Sequence, residues 1–430
     1  MKKTLAAILA LVLTLSLCSL AWATQPPANV AKIGDNEYAT LQAAVNEVKN
    51  GETITLLRNV TDGDGVVVKT GQNIIFDFAG YTYTINGKLV GSSGSETNGF
   101  QLLKGSTVAM RNGTIIAGDN ATGVASNGLW NGSAAILIQN YAALTLDGMT
   151  LTGGNRTYYV LSNNNGETVI NDTVITAGNG GNKIAFDVYG NFGDYDDVKV
   201  TVKGNSIING DVEVDRDSKI PDTQNANTLV IVDGKFNDEL KVTKGTVSVS
   251  GGTFSSAVDT TYLADTVNYK VSGTNSVSYF TNLNDAVAAA GADDEVKNLK
   301  ETSAHSGSTV TLKDGDTVIT KLHTEAATVD LPTLSKSGYT FKGWKDEDGK
   351  VYNGKLTILE ENGGELVVRE AVTLTAVWSA NSYYYYPSTS TTDSTTGKAS
   401  PKTFDAGIGV YAVTAVLSLT GLAYTGKKKF

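Results

Sequence analysis

Ser106–Gly118 reads STVAMRNGTIIAG, and Ala142–Gly154 reads AALTLDGMTLTGG. In each, apolar side chains alternate with polar ones, a glycine or small polar residue interrupts, and a second short apolar run follows. Alternation of period two is the pattern of a strand with one buried face, and the interruption marks a bend. Four later stretches repeat the design: ETVINDTVITAGN (167–179), VKVTVKGNSIING (198–210), TLVIVDGKFNDEL (228–240) and TVSVSGGTFSSAV (246–258). IIFDFAGYTYTING (74–87) is an earlier copy. Aligned on Gly80, Gly113, Gly148, Asp172, Gly204, Gly234 and Gly252, the copies recur at intervals of 18 to 35 residues. That is the range of one solenoid coil, whereas the hairpins of a β-sandwich recur about every 8 to 12 residues.

Stacking such coils sets Val108, Met110 and Ile115 above Leu144, Leu146 and Leu151, in columns of inward apolar side chains. The pattern resembles the right-handed parallel β-helix of the pectate-lyase-like group, so the fold class expected is all-β. A solenoid needs a cap over its open end. EYATLQAAVNEVKNGETITLL (37–57) supplies one, with Leu41, Ala44, Val45 and Val48 on one helical face and Asn50–Gly51 ending the helix. The spacing of Leu41, Ala44 and Val45 returns as Leu283, Ala286 and Val287, which predicts a second, degenerate unit and a boundary near residue 275.

Residues 24–275 are thus the expected β-helix domain and 276–327 the degenerate unit or connector. Within 328–378, Leu331–Pro332, the run GYTFKGW (338–344) and the closing LTAVW (374–378) resemble the internalin-type B repeat. The resemblance implies a small β-rich stalk or adhesion module without catalysis, with Tyr339, Phe341, Trp344 and Trp378 supplying core. Residues 379–399, rich in Ser, Thr and Tyr, have too little aliphatic content to build a core and read as a linker.

The two ends place the chain. Residues 1–23 carry Lys2 and Lys3, an apolar run from Leu5 to Leu20 and a small-x-small site at Ala21 and Ala23, the pattern of an export signal cleaved before Thr24. The one cysteine, Cys18, leaves with it; lipidation there is disfavoured by Leu17, which precedes it. Residues 400–430 hold Ser400–Pro401–Lys402–Thr403–Phe404, then 19 uncharged residues from Ala406 to Tyr424, then Lys427, Lys428 and Lys429. Such a run spans a ~30 Å hydrocarbon core as a transmembrane helix, with the lysines held on the cytoplasmic side. The order resembles the sorting signal of Gram-positive sortase substrates. It implies that a sortase cysteine attacks the Thr403 carbonyl and passes the acyl group to peptidoglycan. Phe404 stands where the commonest motifs have glycine. The expected location is the extracellular surface, anchored to the cell wall; the alternative is membrane anchoring by the C-terminal helix.

Composition narrows the function. A net charge of −10 argues against a nucleic-acid partner, and two histidines, His305 and His323, leave little material for histidine catalysis or a multi-histidine metal site. The densest candidate cluster is Asp194, Asp196, Asp197, Asp211, Glu213, Asp215 and Asp217, with Lys203 and Arg216 nearby. Stacked coils would bring such carboxylates together to hold calcium, or leave them as solvated turn residues. Tyr158–Tyr159, Tyr189, Phe192 and Tyr195 can stack on sugar or pack the solenoid. No cofactor other than possible calcium is expected, and no catalytic residue stands out. The expected function is a surface adhesin that binds a glycan or host ligand; the alternatives are a structural wall protein, or a polysaccharide lyase or hydrolase acting on acidic glycans.

Overall fold

A computed structural model describes residues 29–381, except 181, 182, 192, 222, 223 and 225. The export signal with Ala21 and Ala23, Phe192, nearly all of the linker, the motif Ser400–Phe404 and the apolar run at 406–424 lie outside the described residues. Among the described residues no helix is long and apolar enough to cross a membrane.

The alternating segments form strands that pair in parallel with their counterparts one coil later. On face 1, Thr53–Leu56, Asn73–Asp77, the first half of Thr107–Ala117, the first half of Ala143–Thr152, Gly166–Asn171, Val198–Lys203, Asn227–Ile231 and Thr246–Val249 stack in that order. Past the bend, face 2 stacks Val60–Gly63, Thr82–Ile85, the second halves of those two long strands, Val174–Thr176, Ile207–Asn209, Lys235–Phe236 and Gly252–Phe254. Face 3 stacks Val66–Val68, Ser95–Leu102, Ile136–Asn140, Tyr159–Asn163, Ile184–Gly190, Asp211–Arg216 and Leu240–Val242. The chain visits faces 1, 2 and 3 in turn and returns to face 1, so each visit closes one coil.

The register makes the core. Val108 pairs with Leu144, Met110 with Leu146 and Ile115 with Leu151, and all six are at most 2% exposed. The bend column runs through Asn112 (φ 56°), Gly148 (φ 62°), Asp172 (φ 46°) and Gly204 (φ 63°), the left-handed region that Gly, Asn and Asp enter most readily. The bend residue of the second copy is therefore Asn112 and not Gly113. Gly113 meets a different demand: a Cβ there would lie 2.2 Å from Phe78 Cβ and 2.7 Å from the Tyr81 carbonyl oxygen.

Helix α1 (Leu41–Glu47) buries Leu41, Ala44 and Val45 against the first coil, and the Thr40 side chain caps it by accepting from the Ala43 N–H. It stops at Glu47, earlier than Asn50–Gly51, because Val48 turns extended while still donating to the Ala44 carbonyl. Helix α2 (Leu283–Ala289) repeats this, with Asn282 as N-cap and Ala286 and Val287 buried. The pairing repeats too. Ala31–Ile33 is antiparallel to Asn36–Tyr38 and to Thr53–Leu56, and Tyr269–Ser272 is antiparallel to Val277–Phe280 and to Glu295–Asn298. The second hairpin closes the solenoid, since Val277–Phe280 also pairs antiparallel with the last face-2 strand, Gly252–Phe254.

From Val271 onward a second hydrophobic cluster forms, in which Val310, Leu312, Trp344, Leu356, Ile358 and Leu374 are all fully buried. Strand Ser308–Asp314 pairs in parallel with Ala371–Ala380, so residues on both sides of 328 share one sheet and one core. Of the four aromatics expected to fill that core, Trp344 is fully buried and donates to the Pro332 carbonyl at 2.7 Å. Phe341 packs edge-on between Trp344 and Trp378, whereas Tyr339 is 46% exposed. The rest of the cluster is mostly aliphatic, with Val310, Leu312, Leu322, Leu356, Ile358 and Leu374 among its buried members.

Candidate functional site

Face 3 differs from the other two on its outer side. Its register places Gln101 beside Gln139, Gln139 beside Ser162, Ser162 beside Asp187, Asp187 beside Glu213 and Glu213 beside Lys241. These positions alternate with the inward Phe100, Ile138, Leu161, Phe186 and Val212, so one polar side chain projects outward at each rung after the first, where Val67 stands beside Gln101. Rungs are about 4.8 Å apart.

Tyrosines flank this column. Tyr159, beside it at one end of its strand, reaches Glu213 Oε2 with its hydroxyl at 3.4 Å. On the opposite flank stand Tyr141, whose Oη accepts from Gln139 Nε2 at 3.1 Å, and Tyr189, which pairs with Asp215. Tyr195 stacks on Tyr141 with ring centroids 5.0 Å apart. Burial, with smaller contributions from Tyr195 beside Tyr141 and from Glu213 beside Tyr159, pushes the Tyr141 and Tyr159 hydroxyls up to about 12, so both remain hydrogen-bond donors at any physiological pH.

Between the tyrosines the floor is recessed: Asn98, Gln101, Ser162, Asn164 and Asp187 are all below 9% exposed although none faces the core. Asp187 accepts from the Asn163 N–H at 2.7 Å and from Ser162 Oγ at 3.0 Å. Burial outweighs those two bonds and raises its carboxyl to about 7, and burial likewise raises Glu213. Beneath this floor Asn140 donates to Asn163 Oδ1 (3.1 Å) and Asn163 to the Asp187 carbonyl (2.8 Å), a buried ladder that fixes successive rungs.

The carboxylates singled out in the sequence divide. Asp211, Glu213 and Asp215 share one strand of face 3, all partly exposed, and Lys241 closes on Asp211 at 2.6 Å. Asp194, Asp196 and Asp197 serve loop contacts instead. Lys104 pairs with Asp196 at 3.0 Å and donates to the Asp194 carbonyl, while Asp197 accepts from the Ala226 N–H at 2.8 Å. Among the described residues no three acidic or histidine side chains come together to hold a metal ion. Arg216 is buried and donates to the backbone carbonyls of Pro221 and Gln224, and Lys203 ends a face-1 strand.

Tyr158 and Tyr159 part company as well, Tyr158 packing on Trp130, over which Arg156 lies at 3.9 Å and whose indole N–H donates to the Ser133 carbonyl at 2.9 Å. His305 bonds the Ala326 carbonyl, and His323 pairs with Glu295 at 3.0 Å, both within the second unit. Reading the sequence passed over Gln101, Gln139, Ser162 and Asp187. The signal available was a polar residue at an alternate position inside an apolar run, as Asp187 stands in IAFDVYG (184–190). Comparison with protein-family models and with curated protein sequences finds no match.

Proposed function

We propose that this chain is a surface protein whose face 3 binds a glycan along the solenoid axis. The observation that carries the reading is the unbroken outward column Gln101–Gln139–Ser162–Asp187–Glu213–Lys241 between tyrosines. A polymer of sugar units presents hydroxyls at a regular interval and an apolar ring face, and rungs about 4.8 Å apart offer partly exposed polar side chains at Gln139, Glu213 and Lys241 and aromatic ones at Tyr141, Tyr159 and Tyr189. In this proposal the coils form a right-handed parallel β-helix, and the segment 328–378 is an internalin-like stalk module. The chain is exported and joined to peptidoglycan through Thr403 by a sortase. Glycan-array binding by the full-length chain tests the reading. Binding that is lost in a Tyr141→Ala, Tyr159→Ala double variant of unchanged circular dichroism supports it, and binding that survives that variant removes face 3 from the proposal.

A second reading, glycoside hydrolysis, is favoured by one observation: Asp187 and Glu213 stand side by side on adjacent rungs, and Asp187 keeps its proton near neutral pH. Burial to 6% exposure keeps Asp187 from reaching a sugar oxygen, which places binding first. Release of reducing ends, abolished by Asp187→Asn, would reverse that order.

A further inference from the structure

The charges on face 3 specify which glycan it takes, an inference that rests on the glycan-binding reading above. The strand Asp211–Arg216 turns Asp211, Glu213 and Asp215 outward, and Asp187 stands one rung before Glu213. The cation in the column, Lys241, is bound to Asp211 at 2.6 Å with Glu239 at 4.0 Å, and the cation on the tyrosine flank, Lys104, is bound to Asp196 at 3.0 Å. Arg216 lies buried among backbone carbonyls. In the column and among the flanking tyrosines, the partly exposed donors outside ion pairs are uncharged: the amide of Gln139 and the hydroxyls of Tyr159 and Tyr189.

We infer that face 3 selects an uncharged polysaccharide and rejects polymers of uronic acids. A uronate lying along the column would carry its carboxylates past Glu213, with Asp211 and Asp215 on either side of it on the same strand, and each such contact at close range in a partly desolvated groove is repulsive. An uncharged sugar meets the same carboxylates as hydrogen-bond acceptors for its hydroxyls, and stacks on Tyr141 and Tyr159 without a charge penalty. Selection therefore arises from the repulsive element as much as from the attractive one.

The experiment compares polymers that differ only in charge. Polygalacturonate and hyaluronate are each tested against their carboxyl-reduced forms, together with glucan, mannan and xylan oligosaccharides, by isothermal titration with the full-length chain at low ionic strength. The expected result is binding confined to uncharged polymers, with each uronate at least about tenfold weaker than its reduced form. A triple variant, Asp211→Asn, Glu213→Gln and Asp215→Asn, is expected to narrow the ratio between each uronate and its carboxyl-reduced form, and an unchanged ratio counts against the inference. Equal or tighter binding of the uronates overturns this inference and leaves the glycan-binding reading standing. Silence on every polymer brings down the glycan-binding reading itself, a pattern distinct from the first.

Discussion

Asp187 is the residue at which folding and titration meet. Its carboxyl has an ordinary value of 3.8 when exposed and about 7 in the fold, so the native state holds the proton more tightly than the unfolded chain does. The resulting stability is fully present below about pH 3.8 and is lost as pH rises through about 7, amounting at most to about 4 kcal/mol. Denaturant midpoints are therefore expected to be lower at pH 8 than at pH 5.5. Asp187→Asn should flatten that difference, because an amide can accept from the Asn163 N–H and donate to Ser162 Oγ without a charge. A midpoint that rises from pH 5.5 to 8 in the native chain and not in the variant would refute the assignment. Asn163 acts by a different route. It bonds Asn140, Thr168 and the Asp187 carbonyl inside the solenoid, so Asn163→Leu strands several buried partners and should cost about 2 to 3 kcal/mol in equilibrium unfolding.

At the scale of the element, the apolar columns and the bend residues carry different loads. Leu146 is fully buried between Met110 and Ile170 on adjoining rungs, so Leu146→Ala opens a cavity and should lower stability by about 2 to 5 kcal/mol. Gly113 and Gly148 stand one residue apart in the register and should respond unequally. The Cβ of Gly113→Ala collides with backbone-bound Phe78, whereas that of Gly148→Ala meets nothing nearer than Asn112 Oδ1 at 3.9 Å and incurs only the left-handed backbone cost of about 1 to 2 kcal/mol. Thermal unfolding of the two variants, with Gly113→Ala the less stable, checks the distinction. Both bends were visible in the sequence as interruptions of alternation. Which of Asn112 and Gly113 turns was not, since either residue can occupy a left-handed position and the choice depends on Phe78 lying one coil away.

Across the whole molecule, the end of the solenoid is closed by a strand from the unit that follows it. Phe236 stacks on Phe254 at 4.9 Å, Tyr279 packs edge-on against Phe254 at 5.9 Å, and Val277–Phe280 takes up the free edge of Gly252–Phe254. A chain ending at Asp265 should therefore expose both an apolar stack and an unpaired edge and associate, as read by light scattering; a stable monomer would show that the closure is dispensable. Beyond the described residues, Thr403→Ala is expected to leave uncut chain at the membrane if the sorting motif is used, as detected by mass spectrometry of digested wall. Alternation, recurrence at coil length, the capping helix at Leu41–Glu47, its recurrence at Leu283–Ala289 and the inward columns from Val108 to Leu151 were all legible along the chain, because burial on one face imposes period two and helix capping is local. The outward column on face 3 was not. Its members are 23 to 38 residues apart, with connections of unequal length, and only hydrogen bonding between coils sets which of them share a line. The acidic cluster divides for the same reason: nearness in sequence grouped Asp194, Asp196 and Asp197 with Asp211 and Asp215, but the first three make loop contacts to Lys104 and Ala226 while the other two lie on a face-3 strand. The sequence by itself thus determined strands, coils and caps, which follow from local pattern and burial, while tertiary structure alone decided which polar side chains stand together, because register between coils is a long-range choice.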